Sequence, residues 1–195
     1  MGRTRRDAPA EDRADEERLE LREARTSDAA ALCSYRRAVL NESEFLLQGP
    51  EDWQEDVAAE RGIIEAFAHH PRSVLLVAVE HSRAGAMIVG MCTVVGGPYL
   101  RNAHVGTLGM AVRRSHQGRG IGRQLLDAAL QWGSRPGHLL KMNLQVHVEN
   151  TLACGLYRAA GFEIEGTLRG EATLAGRPVD LYAMGRFLSV DVESR

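Results

Sequence analysis

The segment from Gly109 to Gly122 combines closely spaced glycines with a cluster of basic side chains. It reads Gly-Met-Ala-Val-Arg-Arg-Ser-His-Gln-Gly-Arg-Gly-Ile-Gly and runs from a strand-like stretch into an amphipathic, helix-like one. Glycines allow a sharp turn and close approach of the backbone to a ligand, and a helix start offers free N–H groups and a positive dipole end. The pattern predicts an anion-binding turn, with a purely structural turn as the alternative.

Two common phosphate-binding loops do not fit this segment. The P-loop requires Lys-Ser/Thr after its last glycine, and Arg123-Gln124 follows Gly122 instead. The dinucleotide fingerprint requires Gly-x-Gly-x-x-Gly, whereas Gly118, Gly120 and Gly122 alternate with single residues. Neither identity is therefore predicted.

The rest of the chain alternates between strand-like and helix-like patterns. Apolar residues at a period of two, or rich in Val, Ile and Leu, predict strands, and apolar residues at helical spacing predict helices. The predicted order is β, α, α, β, β, β, α, β, α, β, β. The predicted strands cover about 19–24, 73–80, 86–95, 104–112, 139–148, 162–169 and 179–185, and the predicted helices about 28–40, 49–69, 120–132 and 150–160.

Two segments resemble motifs of the GNAT acetyltransferase superfamily. Gln117 to Gly122 is similar to the Gln/Arg-x-x-Gly-x-Gly/Ala loop that grips the diphosphate of acetyl-coenzyme A (acetyl-CoA) in that family. The segment from Asn150 to Phe162 is similar to the family signature Asn-x-x-Ala-x-x-Leu-Tyr-x-x-x-Gly-Phe. The predicted order of elements also resembles the family topology from Leu19 to about Leu188.

The resemblance implies a mixed α/β (α+β) fold in which helices flank a central, mostly antiparallel sheet. In this fold the strands ending at Val112 and Val148 splay apart, and the first of them carries a bulge, with which Gly109 is compatible. The pantetheine arm of acetyl-CoA would pair with the first strand. The cofactor-binding residues implied are Met110, Ala111, Val112, Gln117, Gly118, Arg119, Gly120, Ile121, Gly122, Arg123 and Asn150.

Acetyl transfer needs a held thioester, an uncharged amine and a proton for the leaving thiolate. Backbone N–H groups aimed at the carbonyl oxygen stabilise the charge that develops there. The resemblance implies that Tyr157 is the general acid, and a core tyrosine is the alternative. Asn150 would hold the pantetheine or a water molecule, with a plain helix cap as the alternative.

The proton acceptor is less well defined. Relatives often carry a Glu on the strand before the glycine turn, and the segment from His104 to Leu108 has none. His104 is a candidate because an unperturbed histidine has a pKa of about 6.5, and a surface or core histidine is the alternative. In relatives the loop between the first two helices lines the acceptor site, so Glu42 and Glu44 are further candidates for the base, with solvated loop residues as the alternative. Glu42, Glu44 and Phe45 are also the candidate substrate-binding residues.

Composition limits the classes of partner. The 195 residues have a formal net charge of −2, which argues against general binding to nucleic acid or to a membrane surface. The three cysteines lie far apart and lack metal-ligand spacing, so buried reduced thiols and no metal site are expected. Without an apolar run of membrane-spanning length, a cytoplasmic location is expected. We expect a disordered charged tail at 1–18, a GNAT domain at 19–188 and a short C-terminal tail at 189–195.

The sequence thus predicts an acyl-CoA-dependent N-acetyltransferase with acetyl-CoA as cosubstrate and a primary amine as acceptor. Three further segments are similar to the branch of the family that contains bacterial amino-acid N-acyltransferases: Asn41–Leu46, Glu165–Arg169 and Asp180–Met184. This similarity favours a small-molecule acceptor such as an amino acid. The alternatives are a protein N-terminal or lysine acetyltransferase, a polyamine acetyltransferase, and a non-catalytic acyl-CoA binding module. Exposed strands near the C-terminus make a homodimer plausible.

Overall fold

Seven segments rich in β-branched and other apolar residues form the strands of one sheet. The computed structural model describes residues 18–83 and 85–188, so the predicted tails lie outside the described residues except for Arg18, which begins the first strand. The strands are β1 Arg18–Glu23, β2 Val74–Ser82, β3 Gly85–Gly96, β4 Val105–Val112, β5 Lys141–His147, β6 Glu163–Leu174 and β7 Arg177–Phe187.

The sheet has the strand order β1-β2-β3-β4-β5-β7-β6. All neighbouring strands are antiparallel except β4 and β5, which are parallel. The predicted mixed α/β fold with a mostly antiparallel sheet is therefore confirmed, together with the predicted order of elements.

In the described part of the chain, four α-helices cover the two faces of the sheet. They are α1 Ala29–Glu42, α2 Val57–His69, α3 Ile121–Gly133 and α4 Thr151–Ala159. One apolar core lies under α3 and α4 and includes Leu125 and Met142. A second core lies under α1 and α2 and includes Leu32, Ile64 and Val77. Strand β2 is buried on both faces over most of its length, whereas β6 at the edge of the sheet is exposed.

The start of α2 differs from the prediction. Pro50–Asp52 forms one 3-10 turn, and α2 begins only at Val57. The carboxylate of Asp56 accepts hydrogen bonds from the N–H groups of Ala58 and Ala59 at 2.8 and 3.0 Å, and this cap sets the helix start. The segment between α1 and α2 is consequently longer than expected.

The bulge implied for the strand at Gly109 is absent. The register of β3 against β4 runs without a shift from the pair Gly96–Gly106 to the pair Gly90–Val112. Gly109 instead leaves room for the neighbouring strand, because a Cβ atom there would lie 3.2 Å from the hydroxyl oxygen of Thr93. Splaying therefore arises where β4 and β5 diverge, without an inserted residue in β4.

Several expectations from composition can be compared with the described residues. Cys33, Cys92 and Cys154 are buried free thiols, as predicted. Within residues 18–83 and 85–188, no helix is long and apolar enough to cross a bilayer. In the same residues, no group of three or more His, Cys, Asp or Glu side chains is arranged to hold a metal ion.

Candidate active site

The parallel strands β4 and β5 separate after a short paired stretch. They pair only at Val105–Lys141, Gly106–Met142 and Thr107–Asn143. Beyond this point β5 continues to pair with β7 as far as His147, while no described strand pairs with the open edge of β4. A wedge-shaped gap therefore opens between the second half of β4 and the end of β5, and we call it the splay.

The backbone of β4 turns polar groups into the splay. The N–H of Arg113 donates to the carbonyl oxygen of Val89 at 2.9 Å, so Val89 and Arg113 form a hydrogen-bonded pair between β3 and β4. Because such pairs alternate along an antiparallel ladder, the N–H and C=O groups of Met110 and Val112 face away from β3. The side-chain amide of Gln117 already uses one of them, since it donates to the carbonyl oxygen of Val112 at 3.0 Å.

The glycine turn leads from β4 into α3. Gly118 and Gly120 have φ angles of +75° and +78°, values that side chains other than glycine rarely adopt. Gly120 is the N-cap residue, and within residues 18–83 and 85–188 no side chain caps the first N–H groups of α3. These groups and the positive end of the helix dipole are therefore available to an anion. The anion-binding role of this turn stays a prediction, and the two glycine conformations and the uncapped helix start are compatible with it.

The buried carboxylate of Glu80 holds the glycine turn against the sheet. Glu80 of β2 is 8% exposed and His116 is 7% exposed. The Nε2 atom of His116 lies 3.0 Å from one oxygen of Glu80, and the Nη2 atom of Arg119 lies 2.8 Å from the other. The hydrogen bond from His116 holds the pKa of Glu80 below its ordinary value of 4.5. Arg119, predicted to bind the cofactor, thus also anchors the turn to the sheet.

We expect Glu80→Gln to lower the free energy of unfolding by about 1–3 kcal/mol near neutral pH, because the variant loses a charged, buried hydrogen-bond acceptor. A lowered folded-state pKa means that the carboxylate stabilises the protein above pH 4.5 and that this stabilisation is lost as the pH falls through the lowered value. Urea unfolding at a series of acidic pH values measures the difference in the free energy of unfolding between the wild type and Glu80→Gln. This difference should become smaller below pH 4.5.

The matched control is Glu149→Gln, because Glu149 pairs with Arg177 at the surface at 2.7 Å. Surface ion pairs contribute little, so this variant should unfold almost like the wild type. Equal losses in both variants would contradict the role given to Glu80.

Tyr157 lies in α4, on the side of the sheet that carries α3. Its side chain packs edge-on against Phe162, with ring centroids 5.9 Å apart, and the residue is 6% exposed. Burial raises the pKa of Tyr157 well above its ordinary value, which keeps the phenol protonated. No described residue accepts a hydrogen bond from its hydroxyl. The side chain is thus a protonated donor without a partner in the described part of the chain.

The other predicted cofactor residues have identifiable local roles. The Asn150 side-chain oxygen accepts a hydrogen bond from the N–H of Ala153 at 3.1 Å, so Asn150 caps α4. The guanidinium of Arg123 pairs with Asp127, one turn along α3. Ile121 is buried at the first position of α3. Asn150 therefore sets the start of the helix that carries Tyr157.

The segment between α1 and α2 reaches the turn and the end of β5. A carboxylate oxygen of Glu42 accepts the N–H of Arg114 at 2.8 Å, and the Arg114 guanidinium donates to the Glu42 carbonyl oxygen at 2.7 Å. Phe45 lies edge-on to the ring of His147, with centroids 5.6 Å apart, while Glu44 is exposed. Glu42, the last residue of α1, thus ties the start of this segment to the glycine turn, and Phe45 covers the end of β5.

His104 lies at the other end of β4. Its carbonyl oxygen accepts the N–H groups of Leu140 and Lys141, and its side chain lines a cavity of about 270 Å³ together with Arg72. Met110 lies six positions along the extended chain from His104, which corresponds to roughly 20 Å. The splay opens away from this end, so the placement of His104 argues against the proton-accepting role suggested by its residue type.

A model of the acetyltransferase (GNAT) family matches residues 38–162, well over half of the chain. The chain belongs to this family. The family resemblance predicted from Gln117–Gly122 and Asn150–Phe162 is therefore confirmed, and these two segments border the splay.

Two curated relatives match parts of this GNAT protein. The L-amino acid N-acetyltransferase AaaT of Escherichia coli is 31% identical over 99 residues, which cover 51% of this chain and 61% of that protein. The spermidine N(1)-acetyltransferase of Vibrio cholerae is 41% identical over 69 residues, which cover 35% of this chain and 40% of that protein. The matches thus span less than two thirds of either relative.

Solved structures share the fold over most of the chain. A GNAT acetyltransferase from Streptococcus pneumoniae has a TM-score of 0.82 and 26% identity, and the match covers 88% of this chain and 100% of that one. A phosphinothricin acetyltransferase from Sinorhizobium meliloti, solved with acetyl-CoA, has a TM-score of 0.75 and 17% identity, covering 91% of this chain and 92% of that one. At this identity the second match shows the fold alone.

The residues of this GNAT protein fit acetyl-CoA. The uncapped start of α3 suits a diphosphate, and the open edge of β4 offers amide groups to an extended, amide-containing arm. The first turn of α3 lies close to β4, because a Cβ atom at Gly122 would be 3.8 Å from side-chain atoms of Met110 and Val112. A diphosphate at α3 and an arm along β4 would thus be neighbours.

Several site residues escaped the sequence patterns because their partners are distant in the chain. Tyr35 of α1 is fully buried, and its hydroxyl donates to the carbonyl oxygen of Ala111 at 2.6 Å across 76 positions of sequence separation. This bond positions the predicted cofactor strand against α1. The contact of Glu80 with His116 and the burial of His147 were likewise not predicted, since no local spacing marks them.

Proposed function

We propose that this GNAT protein transfers an acetyl group from acetyl-CoA to the primary amine of a small molecule, and that the acceptor is an amino acid. The longest curated match, to an L-amino acid N-acetyltransferase, supports this acceptor class. The geometry of the splay supports acetyl-CoA as the cosubstrate.

Acetyl-CoA, when bound, supplies an acyl group activated as a thioester. The first N–H groups of α3 would bind its diphosphate, with Gly118 and Gly120 giving the turn its shape. The outward N–H groups of Met110 and Val112 would hold the arm and orient the acyl carbonyl. Glu80 and Tyr35 act indirectly, because they fix the turn and β4.

The unpartnered hydroxyl of Tyr157 is the observation that supports catalysis most directly. Burial keeps the phenol protonated at neutral pH, so it carries a proton that it can donate to a departing thiolate. A binding module that only holds acyl-CoA has no need for a buried proton donor. We therefore propose Tyr157 as the general acid.

The polyamine and protein N-terminal alternatives differ from this proposal in the acceptor alone. The match to a spermidine acetyltransferase, which is 41% identical over 69 aligned residues, supports the polyamine alternative. The acceptor is therefore the quantity to measure.

The test is release of free CoA thiol from acetyl-CoA with a panel of amines: the L-amino acids, spermidine, peptides with free N-termini and peptides with an internal lysine. We expect turnover with one or more amino acids and weaker or no turnover with the rest. Turnover restricted to spermidine or to peptides would replace the amino acid proposal with that alternative. Acetyl-CoA binding without turnover of any amine would contradict the enzyme proposal and favour a non-catalytic acyl-CoA binding module.

A further inference from the structure

His147 is a buried histidine with an unsatisfied ring nitrogen. It ends β5 beside the open side of the splay and is 4% exposed. Its Nδ1 atom is buried and has no hydrogen-bond partner in the described part of the chain. A buried polar atom without a partner costs its full desolvation penalty, so native proteins contain few of them. The fold therefore keeps this nitrogen unpaired at a cost.

The side chain of His147 lies on the acceptor side of the sheet. Met142, Leu144 and Val146 belong to the core under α3 and α4. Because side chains alternate along a strand, His147 points to the other face, which carries the segment between α1 and α2. The edge-on contact with Phe45 agrees with this direction.

The backbone of His147 is fixed, so the ring cannot reach a partner by a local shift of the chain. Its carbonyl oxygen accepts the N–H of Asn150 at 3.0 Å and lies 3.6 Å from the thiol of Cys154. On the other side, His147 pairs with Leu181 of β7. Within the described residues, Nδ1 is therefore left open to a bound molecule.

A second unsatisfied atom lies on the same face of β5. The side-chain oxygen of Asn143 is also buried without a hydrogen-bond partner in the described residues. Asn143 pairs with Thr107 at the point where β4 and β5 separate, and His147 lies four positions further along the strand, roughly 13 Å away. The stretch of β5 from Asn143 to His147 thus carries a buried, unsatisfied polar atom at each end, within the described residues.

We infer that His147 is an acceptor-binding residue whose Nδ1 atom forms a hydrogen bond with a polar group of the amine substrate. The inference rests on the proposed function, because it requires an amine acceptor. Phe45 holds the ring in place from one side and excludes water from it. His147 contributes to acceptor affinity and is not part of the acetyl-CoA cradle at the glycine turn.

The test uses His147→Phe and His147→Asn in the full chain, with the best amine of the thiol-release panel. Phenylalanine fills a similar volume and removes the unsatisfied nitrogen, so the folded state of His147→Phe should be at least as stable as the wild type. The same variant should raise the acceptor KM by roughly tenfold, the effect of one lost hydrogen bond. Asn places an amide near the position of Nδ1 and should restore part of the affinity.

Calorimetric titration with acetyl-CoA should give the wild-type Kd for both variants. A destabilised His147→Phe with an unchanged acceptor KM would show a structural histidine and overturn the inference. A weakened acetyl-CoA Kd with an unchanged acceptor KM would place His147 at the cosubstrate and also overturn it. If the wild type turns over no amine at all, the proposed function fails and this inference fails with it.

Discussion

Tyr157→Phe should lower kcat by about a hundredfold or more, because general acid catalysis contributes roughly 10²–10⁴ to the rate of such reactions. The substitution removes one hydroxyl and keeps the ring that packs on Phe162. The Kd for acetyl-CoA and the melting temperature should stay at the wild-type values, since no described residue bonds to that hydroxyl. Steady-state thiol release and calorimetric titration measure the two quantities separately.

The matched control is Tyr182→Phe. Tyr182 lies on β7, packs against the same core and is only partly buried. Its hydroxyl has no proposed contact with the reacting groups, so its loss should leave kcat unchanged. A wild-type rate in Tyr157→Phe would remove the general acid role, and equal losses in both variants would indicate a packing effect.

The pH dependence adds a second readout for the same residue. Burial raises the pKa of Tyr157 above the ordinary value of 10.0. The hydroxyl therefore stays protonated as the pH rises to that value, and deprotonation of Tyr157 should cause no decline in kcat below it. A decline in the alkaline range that Tyr157→Phe abolishes would contradict the raised pKa.

The order of helices and strands was predictable because each element carries its own periodicity. The strands from β2 to β5 and the helix α3 appear close to their predicted positions, and the splay expected from the family resemblance is present between β4 and β5. Errors arose where two local signals compete. The helix predicted at about 49–69 starts too early in the sequence, because Pro50 begins only a 3-10 turn and Asp56 caps the helix that forms.

The site was predictable only in part. The glycine turn and Tyr157 belong to short motifs, so residue types and spacing identify them. The residue type alone suggests His104, and a loop position taken from the family resemblance suggests Glu42. The structure places the first at the paired end of β4, and it uses the carboxylate of the second to hold the N–H of Arg114. Titratable side chains can be recognised in a sequence, but their partners depend on which strands become neighbours.

The contacts that fix the site are tertiary, and for this reason no spacing rule finds them. The bond from Tyr35 to Ala111 joins α1 to β4, and the bond from Glu80 to His116 joins β2 to the glycine turn. The unsatisfied nitrogen of His147 becomes visible only when every possible partner has a position. Such residues support the site at positions that the family motifs do not include.

Gly120→Ala should weaken acetyl-CoA binding without changing the chemistry of the site. Gly120 has a φ angle of +78°, and a Cβ atom there would meet nothing closer than the Gln124 amide nitrogen at 4.0 Å. The added methyl group therefore has space, and the cost comes from the left-handed backbone alone, about 1–2 kcal/mol for an L-residue. If the turn relaxes to avoid this cost, the Kd for acetyl-CoA should rise by roughly 5- to 30-fold.

The control for this substitution is Gly155→Ala in α4. Gly155 is exposed within the helix, its φ angle is not left-handed, and an added Cβ atom would meet nothing within 4 Å. Alanine favours a helix over glycine, so this variant should be at least as stable as the wild type and should bind acetyl-CoA with the same Kd. Calorimetric titration and thermal unfolding of the two variants separate the backbone conformation at Gly120 from the general effect of a methyl group. Wild-type affinity and stability in Gly120→Ala would show that the turn does not depend on the left-handed residue at the start of α3.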